Sequence, residues 1–154
     1  WRPHNIQHVL SSGIETAAML QFFRDRLRLR LSAQWMNTRK MNASFPGDAT
    51  EGKQLIYVPE WSGAAVLGAS LTRDLSASAT LRVLGERYYT EINDASLPSH
   101  AVMDCAVSFG RDFAGLRGDL RLELRNVFDG SYEVVAFYPM PGRHLRATYT
   151  TTIL

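Results

Sequence analysis

The 154-residue chain is short of several things, and each shortage excludes a class. It has one cysteine, Cys105, so no internal disulfide can form. That residue falls in phase with Met103 and Val107 and reads as a small apolar side chain. No apolar run approaches the ~18 residues that suggest a membrane-spanning helix. The formal net charge is only +2, and the basic residues, mostly arginines, are spread along the chain. A nucleic-acid footprint would cluster them, so no nucleic-acid partner is expected. The serines at Ser11, Ser12, Ser62 and Ser96 lack the Gly-x-Ser-x-Gly setting of a nucleophile elbow. His4 and His8 share a strand face, but no Asp, Glu or Cys joins them at ligand spacing. Neither a metal site, a catalytic site nor a cofactor is therefore expected. The chain begins at Trp1 without an initiator methionine or a charged-then-apolar leader. It is expected to be processed or to be part of something longer.

What the sequence does have is alternation. Leu27, Leu29, Leu31, Ala33 and Trp35 alternate with Arg28, Arg30, Ser32 and Gln34. Leu120, Leu122 and Leu124 alternate with Asp119, Arg121, Glu123 and Arg125, and Leu145, Ala147, Tyr149 and Ile153 with His144, Arg146, Thr148 and Thr150. A period of two sends the apolar residues to one face of a strand and the charges to the other. The same reading predicts strands over residues 5–23, 61–71, 75–89 and 101–109. Gly13 is expected to mark a bulge or a close approach. The result is an all-β chain of about seven antiparallel strands in up-and-down order.

The connections also alternate. Short turns are predicted at Arg24-Asp25, at residues 72–74 and at residues 110–117, and long loops at residues 37–59, 90–99 and 129–142. Outer-membrane barrels have that asymmetry, with short periplasmic turns and longer extracellular loops. Trp35, Trp61, Tyr88, Tyr89 and Phe128 fall beside the long loops, and Phe22, Phe23 and Phe109 beside the short turns. Two aromatic belts are expected where rings sit at the lipid headgroups. An autonomous eight-stranded barrel, with residues 5–23 split near Ser11–Gly13, and a soluble lipocalin-like cup remain as alternatives. Alternation alone does not tell inside from outside.

Several motifs carry a family resemblance. Asn126-Val127-Phe128-Asp129, Tyr132-Glu133 and Tyr138-Pro139-Met140-Pro141-Gly142-Arg143 resemble the C-terminal end of TonB-dependent outer-membrane receptors. Asn5 with Gly13-Ile14-Glu15, Val58-Pro59-Glu60, and Leu84-Gly85-Glu86-Arg87-Tyr88 are similar to further short motifs of that family, in the same order. The resemblance implies that residues 1–154 are the C-terminal portion of a barrel of roughly 22 strands, with the plug and earlier strands absent. It also implies the outer membrane of a Gram-negative bacterium. The intact protein would be a receptor, not an enzyme, importing a ferric siderophore, haem or cobalamin. Its partners would be membrane lipid, its own plug domain, and the TonB complex acting through the missing N-terminal part. Family barrels usually end in an aromatic residue, whereas this chain ends Thr151-Thr152-Ile153-Leu154, so either a few residues are expected to be missing or the terminal assembly signal to be weakened.

Two groups of site residues follow. Tyr57, Tyr132, Phe137 and Tyr138, with the acidic and amide residues of Glu91 to Asp94, are candidates to line an extracellular mouth and contact the metal chelate or vitamin cargo. Arg121 and Arg125 are candidates to hold the plug by charge-assisted hydrogen bonds from the barrel lumen.

Overall fold

A computed structural model describes residues 8–153, so the expectations attached to Trp1, His4, Asn5 and Leu154 fall outside the described residues. The described chain contains eleven strands: β1 (Val9–Phe22), β2 (Leu27–Lys40), β3 (Trp61–Ser70), β4 (Leu75–Leu84), β5 (Arg87–Tyr88), β6 (Ser96–Leu97), β7 (His100–Phe113), β8 (Leu116–Arg125), β9 (Glu133–Val135), β10 (Tyr138–Pro139) and β11 (His144–Ile153). Seven of them form one antiparallel sheet in the order β1-β2-β3-β4-β7-β8-β11. Each long strand lies beside the next long strand, the up-and-down order that the alternation predicts. The sheet is not closed, and β1 and β11 are its two edges.

The register shows why the pattern folds this way. Residues directly opposite in an antiparallel ladder project to the same face. One row runs Ala18, Leu31, Ala65, Leu81 and Met103. Another runs Phe109, Leu120 and Tyr149. The opposite face carries Ser108, Arg121 and Thr148 in one row and Ala106, Glu123 and Arg146 in the next. Every long strand thus delivers its apolar set to the same side.

That apolar side is not packed against a second layer. Among the described residues only Leu97, Val102, Ala106 and Ala136 are buried hydrophobics. Ile14, Leu145 and Ile153 stand 72%, 79% and 84% exposed on the apolar face. A sheet in water cannot leave such a face bare without a large hydrophobic cost. Trp35 and Trp61 are direct cross-strand partners on this face, at the end nearest the long loops.

Element ends differ from the sequence reading in three places. Strand β2 continues to Lys40, because Arg39 and Lys40 still bond the returning loop at Gln54 and Lys53. Strand β4 ends at Leu84 and not at Tyr89. There Gly85 donates its N–H to Trp61 O at 2.9 Å, and a Cβ on Gly85 would lie 2.9 Å from that same oxygen. Arg87 and Tyr88 instead pair with Leu97 and Ser96 in a separate hairpin. Strand β7 extends to Phe113, so the turn read over residues 110–117 shrinks to Ala114-Gly115. Both have positive φ, 50° and 80°, the conformation of a two-residue hairpin turn that follows strand twist.

Gly13 is a close approach and not a bulge. The ladder runs unbroken through Gly13 and Met36, and a Cβ there would collide with Trp35 O. Strand β1 is likewise continuous through Ser11–Gly13, which removes the split needed for an eight-stranded reading.

Candidate functional site

Two structures meet at the long-loop end: the polar face of the sheet and a layer made from three loops. On the polar face charges gather over β7, β8 and β11. Glu123 accepts from Arg121 Nε at 3.0 Å and lies 3.6 Å from Arg125 Nη2 and 3.9 Å from Arg146 Nε. Three guanidiniums thus share one carboxylate. Arg121 also donates to Ser108 Oγ at 3.1 Å. Further along, Arg82 Nη2 donates to Asp104 at 2.6 Å. Residues two apart on a strand share a face, which is how Arg121, Glu123 and Arg125 come together. Arg121 and Arg125 therefore lie where the sequence predicts, on the polar face, with their side chains about half exposed.

The first loop, residues 41–60, is tied down by Asp48. Its carboxylate accepts from Lys40 Nζ at 2.8 Å, Ser44 N at 2.7 Å, Thr50 N at 2.9 Å and Thr50 Oγ1 at 2.6 Å. The Lys40 ammonium, followed by the Thr50 and Ser44 donors, holds this carboxyl well below the usual carboxylate range.

The second loop, residues 85–99, binds the first. Gln54 N donates to Asn93 Oδ1 at 2.8 Å, and Asn93 Nδ2 donates back to Gln54 O at 3.0 Å. The amide side chain thereby imitates a strand partner. Tyr57 N donates to Tyr88 O at 2.7 Å.

The third loop, residues 126–143, binds the second. Arg87, only 2% exposed, sends Nη2 to Glu133 O at 2.9 Å. Burial pulls its pKa below the ordinary arginine value, yet a guanidinium titrates so far above neutrality that it stays charged. The Tyr89 and Phe137 rings meet edge to face with centroids 5.7 Å apart. Within the third loop Asn126 adopts a φ of 49° and is 3% exposed. Its side chain donates to Gly130 O and Pro141 O and accepts from Gly130 N, while its own N–H donates to Asp104. Asp129 accepts from Arg143 N at 2.7 Å.

The four loop aromatics do not form one site. Tyr132 turns inward and stacks on His100, with ring centroids 4.7 Å apart. It overhangs a concavity of about 410 Å³ on the polar face, bounded below by Glu15, Gln34, Ser62, Arg82 and His100. Phe137 and Tyr138 stand at the outer tip, 79% and 70% exposed. Tyr57, with a φ of 61°, belongs to the first loop. Sequence reasoning missed His100, Arg87 and Gln54, and it placed Asn93 at the mouth, whereas its side chain joins the second loop to Gln54 of the first. Arg87 lay inside a motif that had been noticed, but nothing in its spacing points to Glu133. Among the described residues no group of three or more His, Cys, Asp or Glu is placed to hold a metal ion.

The family model described as TonB dependent receptor-like, beta-barrel, matches residues 1–127. This chain belongs to the TonB-dependent receptor family. No curated protein matches it. The receptor fold is also seen in solved structures. The siderophore receptor PiuA from Acinetobacter baumannii is similar at 16% identity and a TM-score of 0.76, over 94% of this chain and 22% of that one. The ferric preacinetobactin receptor BauA from the same organism is similar at 13% identity and a TM-score of 0.77, over 92% of this chain and 22% of that one. The ferric-catecholate import receptor Fiu from E. coli K12 is similar at 19% identity and a TM-score of 0.72, over 94% and 21%. The chain therefore spans about a fifth of the length of the receptors it resembles.

Proposed function

We propose that residues 1–154 form the C-terminal portion of the barrel of an outer-membrane receptor in a Gram-negative bacterium. The complete protein imports a scarce, bulky nutrient, of the class of ferric siderophores, haem or cobalamin, and draws energy from the TonB complex through a plug domain. Transport, not bond chemistry, is the work of this segment.

The observation that carries the reading is the division of the sheet into two faces within a member of this family. A bare apolar face suits lipid, and a polar face suits the interior of a wide barrel. The first group of lumen contacts is Arg121 and Arg125. With Arg146 they surround a single carboxylate, so they keep hydrogen-bonding capacity for acidic or carbonyl groups of the plug. The second group is the mouth. Tyr132 faces the lumen over the concavity, whereas Phe137, Tyr138 and Tyr57 present aromatic surface to arriving cargo. Rigid strands holding aromatic and polar loop residues suit ligand capture.

The test uses the complete receptor in cells starved of iron or cobalamin. Energy-dependent accumulation of a radiolabelled ferric siderophore, haem or cobalamin should disappear on deletion of the gene and return on complementation. Folded receptor in the outer membrane that accumulates none of these would overturn the cargo reading. Replacing Arg121 and Arg125 by alanine in that receptor should loosen the plug and reduce uptake. Unchanged plug retention and unchanged uptake would remove their assigned role.

A further inference from the structure

The apolar face is not uniformly apolar. At the short-turn end of β7, β8 and β11 it contains a concavity of about 390 Å³, lined by Phe109, Leu116, Leu120 and Tyr149 together with Arg111 and Gly118. Arg111 stands directly opposite Gly118 in the ladder, in phase with Phe109 and not with the polar set. No acidic residue occupies this face of β7, β8 or β11. The contrast with Arg117 is direct: on the polar face Asp112 and Asp119 hold that guanidinium at 3.2 and 3.1 Å. Arg111 has no ion-pair partner among the described residues.

Gly118 makes the notch. A Cβ there would lie 2.8 Å from Tyr149 Oη, so the phenol lies across the glycine and brings its hydroxyl into the row that Arg111 shares. An arginine and a phenol, both donors, thus line one shallow trough walled by Phe109, Leu116 and Leu120.

We propose that this notch binds one glycerophospholipid of the inner leaflet, with its phosphate on Arg111 and Tyr149 and an acyl chain along the trough over Gly118. The inference rests on the membrane orientation proposed above, which puts the short turns at the inner headgroup level. An arginine at that depth extends its stem along apolar surface and its head to the phosphate layer. Its planar fork matches a phosphate diester. A tyrosine at the same level keeps its ring in the acyl region and its hydroxyl among headgroups. A second copy fits less well, because a two-fold contact through this patch would bring two unpaired Arg111 cations together.

The experiment uses the complete receptor, inserted in bilayers and then extracted in mild detergent for native mass spectrometry with equal phosphatidylglycerol and phosphatidylcholine. One phosphatidylglycerol should be retained in preference to phosphatidylcholine, whose choline repels the guanidinium. Arg111→Gln should weaken retention about tenfold, the loss of one charge-assisted contact. Tyr149→Phe should weaken it about threefold, the loss of one neutral hydrogen bond. Equal retention by wild type and both variants, or no preference between the lipids, would mean an ordinary lipid belt and overturn the site. A dimer in place of the lipid-bound receptor, strengthened by Arg111→Gln as the two cations are removed, would replace the lipid with a second copy. A receptor that does not insert removes the membrane reading and this site together, whereas insertion without selective retention removes this site alone.

Discussion

The strand wall and the loop layer of this chain hold their shape by different means. In the wall, backbone ladders do the ordering, and side chains need only be apolar on one face and polar on the other. In the loop layer short ladders count for little, and order comes from individual side chains bonded to backbone within and between the loops: Asn126 to Gly130 and Pro141, Arg87 to Glu133, Asn93 to Gln54. The layer also uses non-glycine residues at positive φ, among them Tyr57, Asn93, Asn126, Asp129 and Phe137. The wall therefore tolerates substitution by type, while the loops depend on particular residues. The same difference separates the two candidate sites. Arg121 and Arg125 follow from strand phase, whereas Tyr132 meets His100 from a loop that Asn126 and Arg87 tie down.

The sharpest way to break this contrast is Asn126→Ala. It removes three side-chain hydrogen bonds, leaves buried partners unpaired and puts alanine at a φ suited to asparagine. A loss of about 3 kcal/mol of local stability is expected. Protease cleavage confined to residues 126–143, with the barrel still resistant, is the outcome to look for. If the loop stays protected, ladders and not side chains hold it.

Arg87→Ala comes next, at about 2 kcal/mol, from an unsatisfied Glu133 carbonyl and lost packing. Hydrogen exchange should rise in the third loop, and Tyr132 should leave its stack on His100. Arg87→Lys should not rescue, since an ammonium lacks the fork that reaches Glu133 O from this buried position. Equal protection in both variants would remove Arg87 as the clasp.

A smaller effect is expected from acid. The depressed Asp48 pKa means that its contribution is complete above the unfolded value of ~3.9 and is lost as pH falls below it toward the folded value. Amide resonances of Ser44 and Thr50 should hold steady at pH 5 to 7 and shift toward those of an open loop only at a pH near the folded value, well below 2.5. Asp48→Asn should abolish this dependence. A first loop equally ordered at both pH values would assign its order elsewhere.

The smallest effect belongs to the wall. Leu122→Val, on the apolar face of β8, should change stability by less than about 1 kcal/mol, because the ladder to β7 and β11 is untouched. A larger loss, measured by denaturant unfolding in detergent, would show that the wall also depends on specific packing.

By itself the sequence determined the wall. Period-two alternation named the seven long strands, their order, and which residues share a face, because a strand's side-chain geometry is local and repeats every second residue. It placed Arg121 and Arg125 with Glu123 for the same reason. The tertiary structure alone decided the loop layer and the exact strand ends. Loops have no period to read, so nothing near Arg87 points to Glu133, forty-six positions on, and nothing near Asn93 points to Gln54. The ends of β4 and β7 depended on Gly85 meeting Trp61 and on a two-residue turn at Ala114-Gly115. The separation of Tyr132 from Phe137 and Tyr138 was invisible for the same physical reason: their directions are set by contacts made across the fold, and not by neighbours in the chain.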